Sequence, residues 1–193
     1  MDQSTTRTAL RGLTWAFAAA AFGLAACGPA EREVRVQPAP GESFVLTTAE
    51  AASIMSTANN AEIQEGQLAL QKSQNEQVRQ FAQRMISDHS ALNQALAEHM
   101  RRDGMAGGNP ITQQLIANSQ ESVQNLQQLE GMQSDRAYIQ HQVALHQWLL
   151  NTLDNALIPG TDDSRIHADM REARDVIASH LQAARQINAS MDH

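Results

Sequence analysis

Residues 78–100 constrain the fold more than any other part of this chain. Val78, Phe81, Ala82, Met85, Leu92 and Leu96 recur at the spacing that lines up one face of an α-helix, so the segment must lie against a core. His89 interrupts that stripe at its centre, with Asp88 just before it. An ionisable ring is thereby aimed at apolar surroundings. Residues 138–157 and 166–191 also carry histidines on or beside their own stripes.

The same period runs through the chain from about residue 45. Thr47 or Thr48 can cap a first helix with Glu50 in its opening turn. Ile54 or Met55, Ala58, Ala61 or Glu62, Glu65 and Leu68 or Ala69 then trace its stripe, and Asn59-Asn60 loosen it midway. Asn75 ends this helix and caps the second, which runs to about Arg102 before Asp103-Gly104 and Gly107-Gly108-Asn109. Pro110 opens a Gln-rich helix whose face of Ile111, Leu115, Ile116, Val123, Leu126 and Leu129 has no ligand at its centre, and it reads as a crossover.

Gly131 to Gln133 break the pattern, and Ser134 caps a helix with Tyr138, Ile139, Val143, Leu145, Leu149, Leu150, Leu153 and Leu157 that stops at Pro159-Gly160. Asp162 or Asp163 caps the last, with Ile166, Met170, Ala173, Ile177, Leu181, Ala184 and Ile187 on its stripe. Only 4% of the residues are aromatic, which suits a helical protein with an aliphatic core. Four long helices paired by short turns, with a longer middle connection, predict an all-α, ferritin-like four-helix bundle with an additional crossover helix over residues 45–191. The alternative is an irregular bundle in which the Gln-rich helix takes a place in the core.

The beginning of the chain reads as a leader. Arg7 and Arg11 precede the apolar run 13–26, and Leu24-Ala25-Ala26-Cys27 followed by Gly28 is similar to a bacterial lipobox. This predicts a lipoprotein signal peptide over 1–26, lipid on Cys27 and an extended tether over 27–44 containing Pro29, Pro38, Pro40 and Gly41. The plainer reading is an ordinary signal peptide with Cys27 there by accident. Anchoring would place the protein in the cell envelope, on a membrane facing the periplasm, with Gly28 favouring the outer membrane. Cys27 is the only cysteine, so the domain after it has no disulfide and no thiolate ligand.

A net charge of −7 and the absence of any Lys/Arg cluster argue against a nucleic-acid partner, which requires a basic face. No G-x-S-x-G elbow, phosphate loop, dinucleotide fingerprint or H-E-x-x-H is present, so hydrolase or nucleotide chemistry has no support and no catalytic residue is assigned.

Counting from the turns places candidate ligands at common heights. Glu62 lies thirteen residues before Asn75 and His89 fourteen after it, with Glu65 about one turn away. His180 lies seventeen residues after Asp163, which matches His141, sixteen before Leu157, better than His146, eleven before it, although His146 is nearer the apolar stripe. Inward Glu62, Glu65, Asp88, His89, His141, His146 and His180 could together hold a divalent copper, zinc or iron ion. Asp88 could instead orient His89 or another ring. Met55, Met85 and Met170 on the same faces favour copper, or are plain core. The Glu-x-x-His pairs of di-iron bundles are absent. His99, His167 and His193 read as peripheral, and Tyr138 pairs with Asp135 by packing and hydrogen bonding. A lone inward histidine is more often a satisfied core residue than a ligand.

Asn60-Ala61-Glu62, Glu65-Gly66-Gln67-Leu68-Ala69, Val78-Arg79-Gln80-Phe81-Ala82, Met85-Ile86-Ser87-Asp88-His89, Asp135-Arg136-Ala137-Tyr138 and His180-Leu181 resemble an exported bacterial ferritin-like family of unknown function, often labelled putative outer membrane protein. The likeness covers 45–187 and implies the ferritin-like fold and an envelope location, with no established activity. Two positions depart from the pattern: Leu145 stands where a second Asp precedes His146, and Ser134 where Phe precedes Asp135. A copper-associated exported family is similar around Tyr138 to His146, but its His-His pair is missing. The expectation is a lipid-anchored structural or interaction module that is not an enzyme, with metal binding or buffering as the alternative.

Overall fold

The computed structural model describes residues 46–191 apart from 105, 107 and 162. The expected signal peptide, Cys27 and tether lie outside the described residues, as do Asp162 and His193. The described residues fall in one compact unit. They form α1 (Thr48–Lys72), α2 (Glu76–Asp103), α3 (Pro110–Gln128), α4 (Gly131–Thr152), a π-helical turn (Leu153–Leu157), α5 (Ile158–Gly160) and α6 (Ser164–Ser190), with no strand among them. The all-α expectation holds. None of these helices is long and apolar enough to cross a membrane.

Local chemistry sets the helix ends. Thr47 and Glu50 make a reciprocal capping box: the Glu50 amide donates to Thr47 Oγ1 (3.1 Å) and the Thr47 amide to Glu50 Oε2 (2.9 Å). Asn75 Oδ1 accepts from the Gln77 and Val78 amides, Asn109 Oδ1 from Ile111, and Asp163 Oδ1 from Arg165, each relieving an orphan donor in a first turn. Gly104, at φ 78°, closes α2 in the left-handed region that glycine tolerates best.

One boundary differs from the sequence reading. The fourth helix begins at Gly131, so Ser134 is a buried residue within it and not its cap. The helical run stops at Gly160, as expected from Pro159-Gly160. The chain widens into the π-turn, in which the Ile158 amide bonds to the Leu153 carbonyl, and continues through Pro159 to Gly160. Proline has no amide proton and its ring crowds the carbonyl four residues back, and the helical run ends one residue after it.

α1 packs on α2 and α4, α2 on α6, and α6 on α4, closing a ring of four long helices. α3 lies across α1 and α4 and buries Ile111, Leu115 and Leu126, while Ile116, expected on its inner face, is exposed. Two apolar clusters fill the ring. One contains Ile54, Leu96, Leu149, Met170 and Ile177; the other contains Val78, Phe81, Met85, Tyr138, Ile139 and Ala184. Each of the four helices places buried polar side chains near the junction of these clusters: Asn59, Glu62 and Glu65 on α1, His89 on α2, Gln142 and His146 on α4, and His180 on α6. A polar belt thus divides the core.

Candidate metal centre

His89, His146 and His180 come from α2, α4 and α6, and each ring is wholly shielded from solvent. Their centroids form a nearly equilateral triangle with sides of 5.9, 5.3 and 5.4 Å. One nitrogen of each ring lies within 4.8 Å of those of the other two.

The hydrogen bonds on the far sides of the rings fix their tautomers. Asn59 Nδ2 donates to Asn93 Oδ1 (3.0 Å), which leaves Asn59 Oδ1 to accept from His89 Nδ1–H at 2.9 Å. His146 Nδ1–H donates to the Gln142 carbonyl at 2.9 Å, and His180 Nε2–H to Asp88 Oδ2 at 2.8 Å. Every one of these partners can only accept. His89 Nε2, His146 Nε2 and His180 Nδ1 are therefore bare lone pairs, and all three are buried without a hydrogen-bond partner.

Electrostatics keeps the rings neutral. Burial pushes His89 well below the usual imidazole range, and the neighbouring His146 and His180 push it further. His146 falls to about 3 through burial and then His180. Burial also lowers His180; Asp88 opposes this and Arg84 reinforces it. Neutral imidazole is the form that ligates a metal.

The remaining expected ligands stand apart from this triangle. Asp88 is a partly exposed residue that orients His180 and also receives Arg84 Nε at 3.2 Å. His141, not His146, is the ring that meets Glu65, with Nδ1 donating to Oε2 at 2.8 Å. The height match of His141 with His180 is thus corrected: His146 takes that level. The chain reverses after Gly160 and not at Leu157, which moves the level facing His180 toward His146. Glu62 approaches His146 Nδ1 at 3.5 Å and not His89, whose outer nitrogen is taken by Asn59. Burial first, and then the Glu65 carboxylate, push Glu62 up to about 8. With Glu62 protonated and His146 neutral, their contact is no ion pair. Burial disfavours a charged His141, but the Glu65 charge and hydrogen bond outweigh it and raise His141 above the usual range.

Asn59 is the contributor that the sequence reading missed. It does not loosen α1; it is buried and sets the His89 tautomer, and its position three residues before Glu62 on the inner stripe was the available signal. His99 is not peripheral either. It is buried, with Nε2 2.7 Å from Asp169 Oδ2 and Nδ1 accepting from Arg102, so it ties α2 to α6. His167 bonds to the Thr161 carbonyl. Tyr138 forms no hydrogen bond with Asp135; it is wholly buried against the edge of Phe81, with its hydroxyl unpartnered. Met55 and Met170 belong to one apolar cluster and Met85 to the other, as core.

The fold and site define an all-helical protein with a buried triad of neutral imidazoles. The chain belongs to the family described as Domain of unknown function (DUF4142), which matches residues 34–187. No curated protein and no solved structure matches it.

Proposed function

We propose that this protein is a ferritin-like four-helix bundle that holds one transition-metal ion, zinc or copper, between His89, His146 and His180. The observation that carries the reading is the set of three bare, buried ring nitrogens facing one another. A merely satisfied core accounts for the outer nitrogens but leaves three lone pairs converging with no donor between them. Zinc and copper suit imidazole. From a triangle no wider than 4.8 Å, each nitrogen needs to move inward by less than about 1 Å to reach the ~2.0–2.1 Å zinc–nitrogen distance.

The ring of α1, α2, α4 and α6, with α3 as the crossover, supports the ferritin-like reading. The complete shielding of the rings favours holding an ion over turning over a substrate. An ion bound to three helices also makes the domain a stapled scaffold, in keeping with a structural role in the envelope. Lipid on Cys27 would tether it there, a reading supported by Leu24-Ala25-Ala26-Cys27.

Titration of the metal-stripped full chain with zinc and with copper, followed by native mass spectrometry, tests the function. One ion per chain is expected, and none at this site in His146→Ala; no stoichiometric uptake, or equal uptake by the variant, contradicts it. At a hundredfold excess over Kd, binding adds about 2.7 kcal/mol and raises Tm by roughly 5–10 °C for a chain of this size. For the anchor, labelled fatty acid should enter the wild type and not Cys27→Ser, and equal labelling refutes lipidation.

A further inference from the structure

Beside the triad, a second group of buried polar atoms is left without partners. Glu62 and Glu65 are three residues apart on α1, and Tyr138 and Gln142 are four apart on α4, which packs on α1. All four side chains are buried, with no exposure for Glu62, Glu65, Tyr138 or Gln142. Glu62 Oε1 and Oε2, Glu65 Oε1, Gln142 Oε1 and the Tyr138 hydroxyl are all buried without a hydrogen-bond partner.

These atoms share one region. Gln142 Nε2 donates to Glu65 Oε2 at 3.4 Å, and Glu62 Oε1 stands 3.5 Å from His146 Nδ1, which in turn bonds to the Gln142 carbonyl. His141 supplies one positive charge, to Glu65. With no cation bound, Glu62 keeps its proton and His141 balances Glu65; a divalent ion would displace that proton and take both carboxylates as ligands.

We infer that Glu62, Glu65, Gln142 and Tyr138 form a second cation site, built of oxygen donors and selective for a hard divalent ion of the manganese, magnesium or calcium class. Hard cations take carboxylate and amide oxygens, whereas the neighbouring nitrogen triad suits zinc or copper, so the two sites discriminate by donor type. The oxygen site does not require the triad to be filled, and it holds whether or not the triad binds metal.

Manganese(II) is the probe, read by electron paramagnetic resonance on the metal-stripped full chain. The expected result is one bound manganese per chain, distinct from the hexaaqua ion. Affinity should fall at least tenfold in Glu65→Gln and in Gln142→Met, while His180→Ala binds as the wild type does. Two near-isosteric variants guard against a folding defect in either one, with circular dichroism reporting the fold. Manganese remaining as the free hexaaqua ion with wild-type protein, or binding unchanged in folded Glu65→Gln or Gln142→Met, overturns the site and leaves a proton or water as its occupant. Zinc uptake measured on the same samples reports on the triad separately, so failure of one site is distinguishable from failure of the other.

Discussion

His180 and Asp88 meet across the seam between α6 and α2, with the ring Nε2 donating to Asp88 Oδ2 at 2.8 Å. This bond links a wholly buried ring of the triad to a carboxylate that is one-third exposed, and Arg84 braces it by reaching both Asp88 and Ser179 Oγ. The carboxylate holds the tautomer that points Nδ1 inward. Asp88→Ala should therefore keep the fold and lower zinc affinity by about 10- to 100-fold, as loss of a ligand's outer hydrogen-bond partner does. Competition against a chromophoric chelator measures it, and unchanged affinity would show that packing alone orients His180.

His146→Leu separates metal binding from stability. The leucine removes an unpartnered nitrogen from an apolar setting, so the metal-free variant should melt no lower than the metal-free wild type and gain up to about 1–3 kcal/mol. Its melting temperature should not respond to zinc. Urea denaturation with and without zinc checks both halves, and a variant that zinc still stabilises argues against ligation by His146.

The stability of the metal-free protein should depend on pH in a defined direction. Glu62, at about 8 in the folded protein and 4.5 ordinarily, keeps a proton that the unfolded chain releases, so its contribution falls as pH rises from 4.5 to 8. His141, also raised, acts in the same direction above 6.5. His146, at about 3 against 6.5, does the reverse: the unfolded chain takes up a proton that the folded one refuses, and stability is lost as pH falls below 6.5. His89 and His180 add to that loss. Urea midpoints should thus drop between pH 6.5 and 8, and Glu62→Gln should flatten the drop. Parallel profiles for wild type and variant would show that Glu62 is ionised throughout.

Gly66 marks the close approach of α1 and α2. A methyl group there would stand 3.1 Å from Ile86 Cγ1 and 3.2 Å from the Ala82 carbonyl oxygen, and the backbone oxygen cannot yield cheaply. Gly66→Ala should cost about 1–3 kcal/mol despite its gain in helix propensity. It should weaken zinc binding as well, because His89 is carried on the displaced helix. A variant as stable as the wild type would mean that the two helices separate without penalty.

The helices, most of their caps and the inward aim of His89 were legible because burial imposes a period that the apolar residues repeat. Asp88 was legible as a second-layer group, but which ring it served was not, since that depends on how α2 meets α6. The pairing of His180 with His146 was hidden by a π-turn that Pro159 carries through. Asn59 was misread because asparagine in a helix ordinarily signals weakness, whereas here its amide is fixed between Asn93 and His89. Helix period records which face is inward; the height at which faces meet depends on turns that leave a weaker trace.

Anomalous diffraction from crystals of the zinc-loaded protein tests the triad most directly. The account predicts a single strong zinc peak bonded to His89 Nε2, His146 Nε2 and His180 Nδ1, with the outer nitrogens still held by Asn59, the Gln142 carbonyl and Asp88. Zinc found only on surface carboxylates and exposed histidines, with the three inner nitrogens uncoordinated, would contradict it.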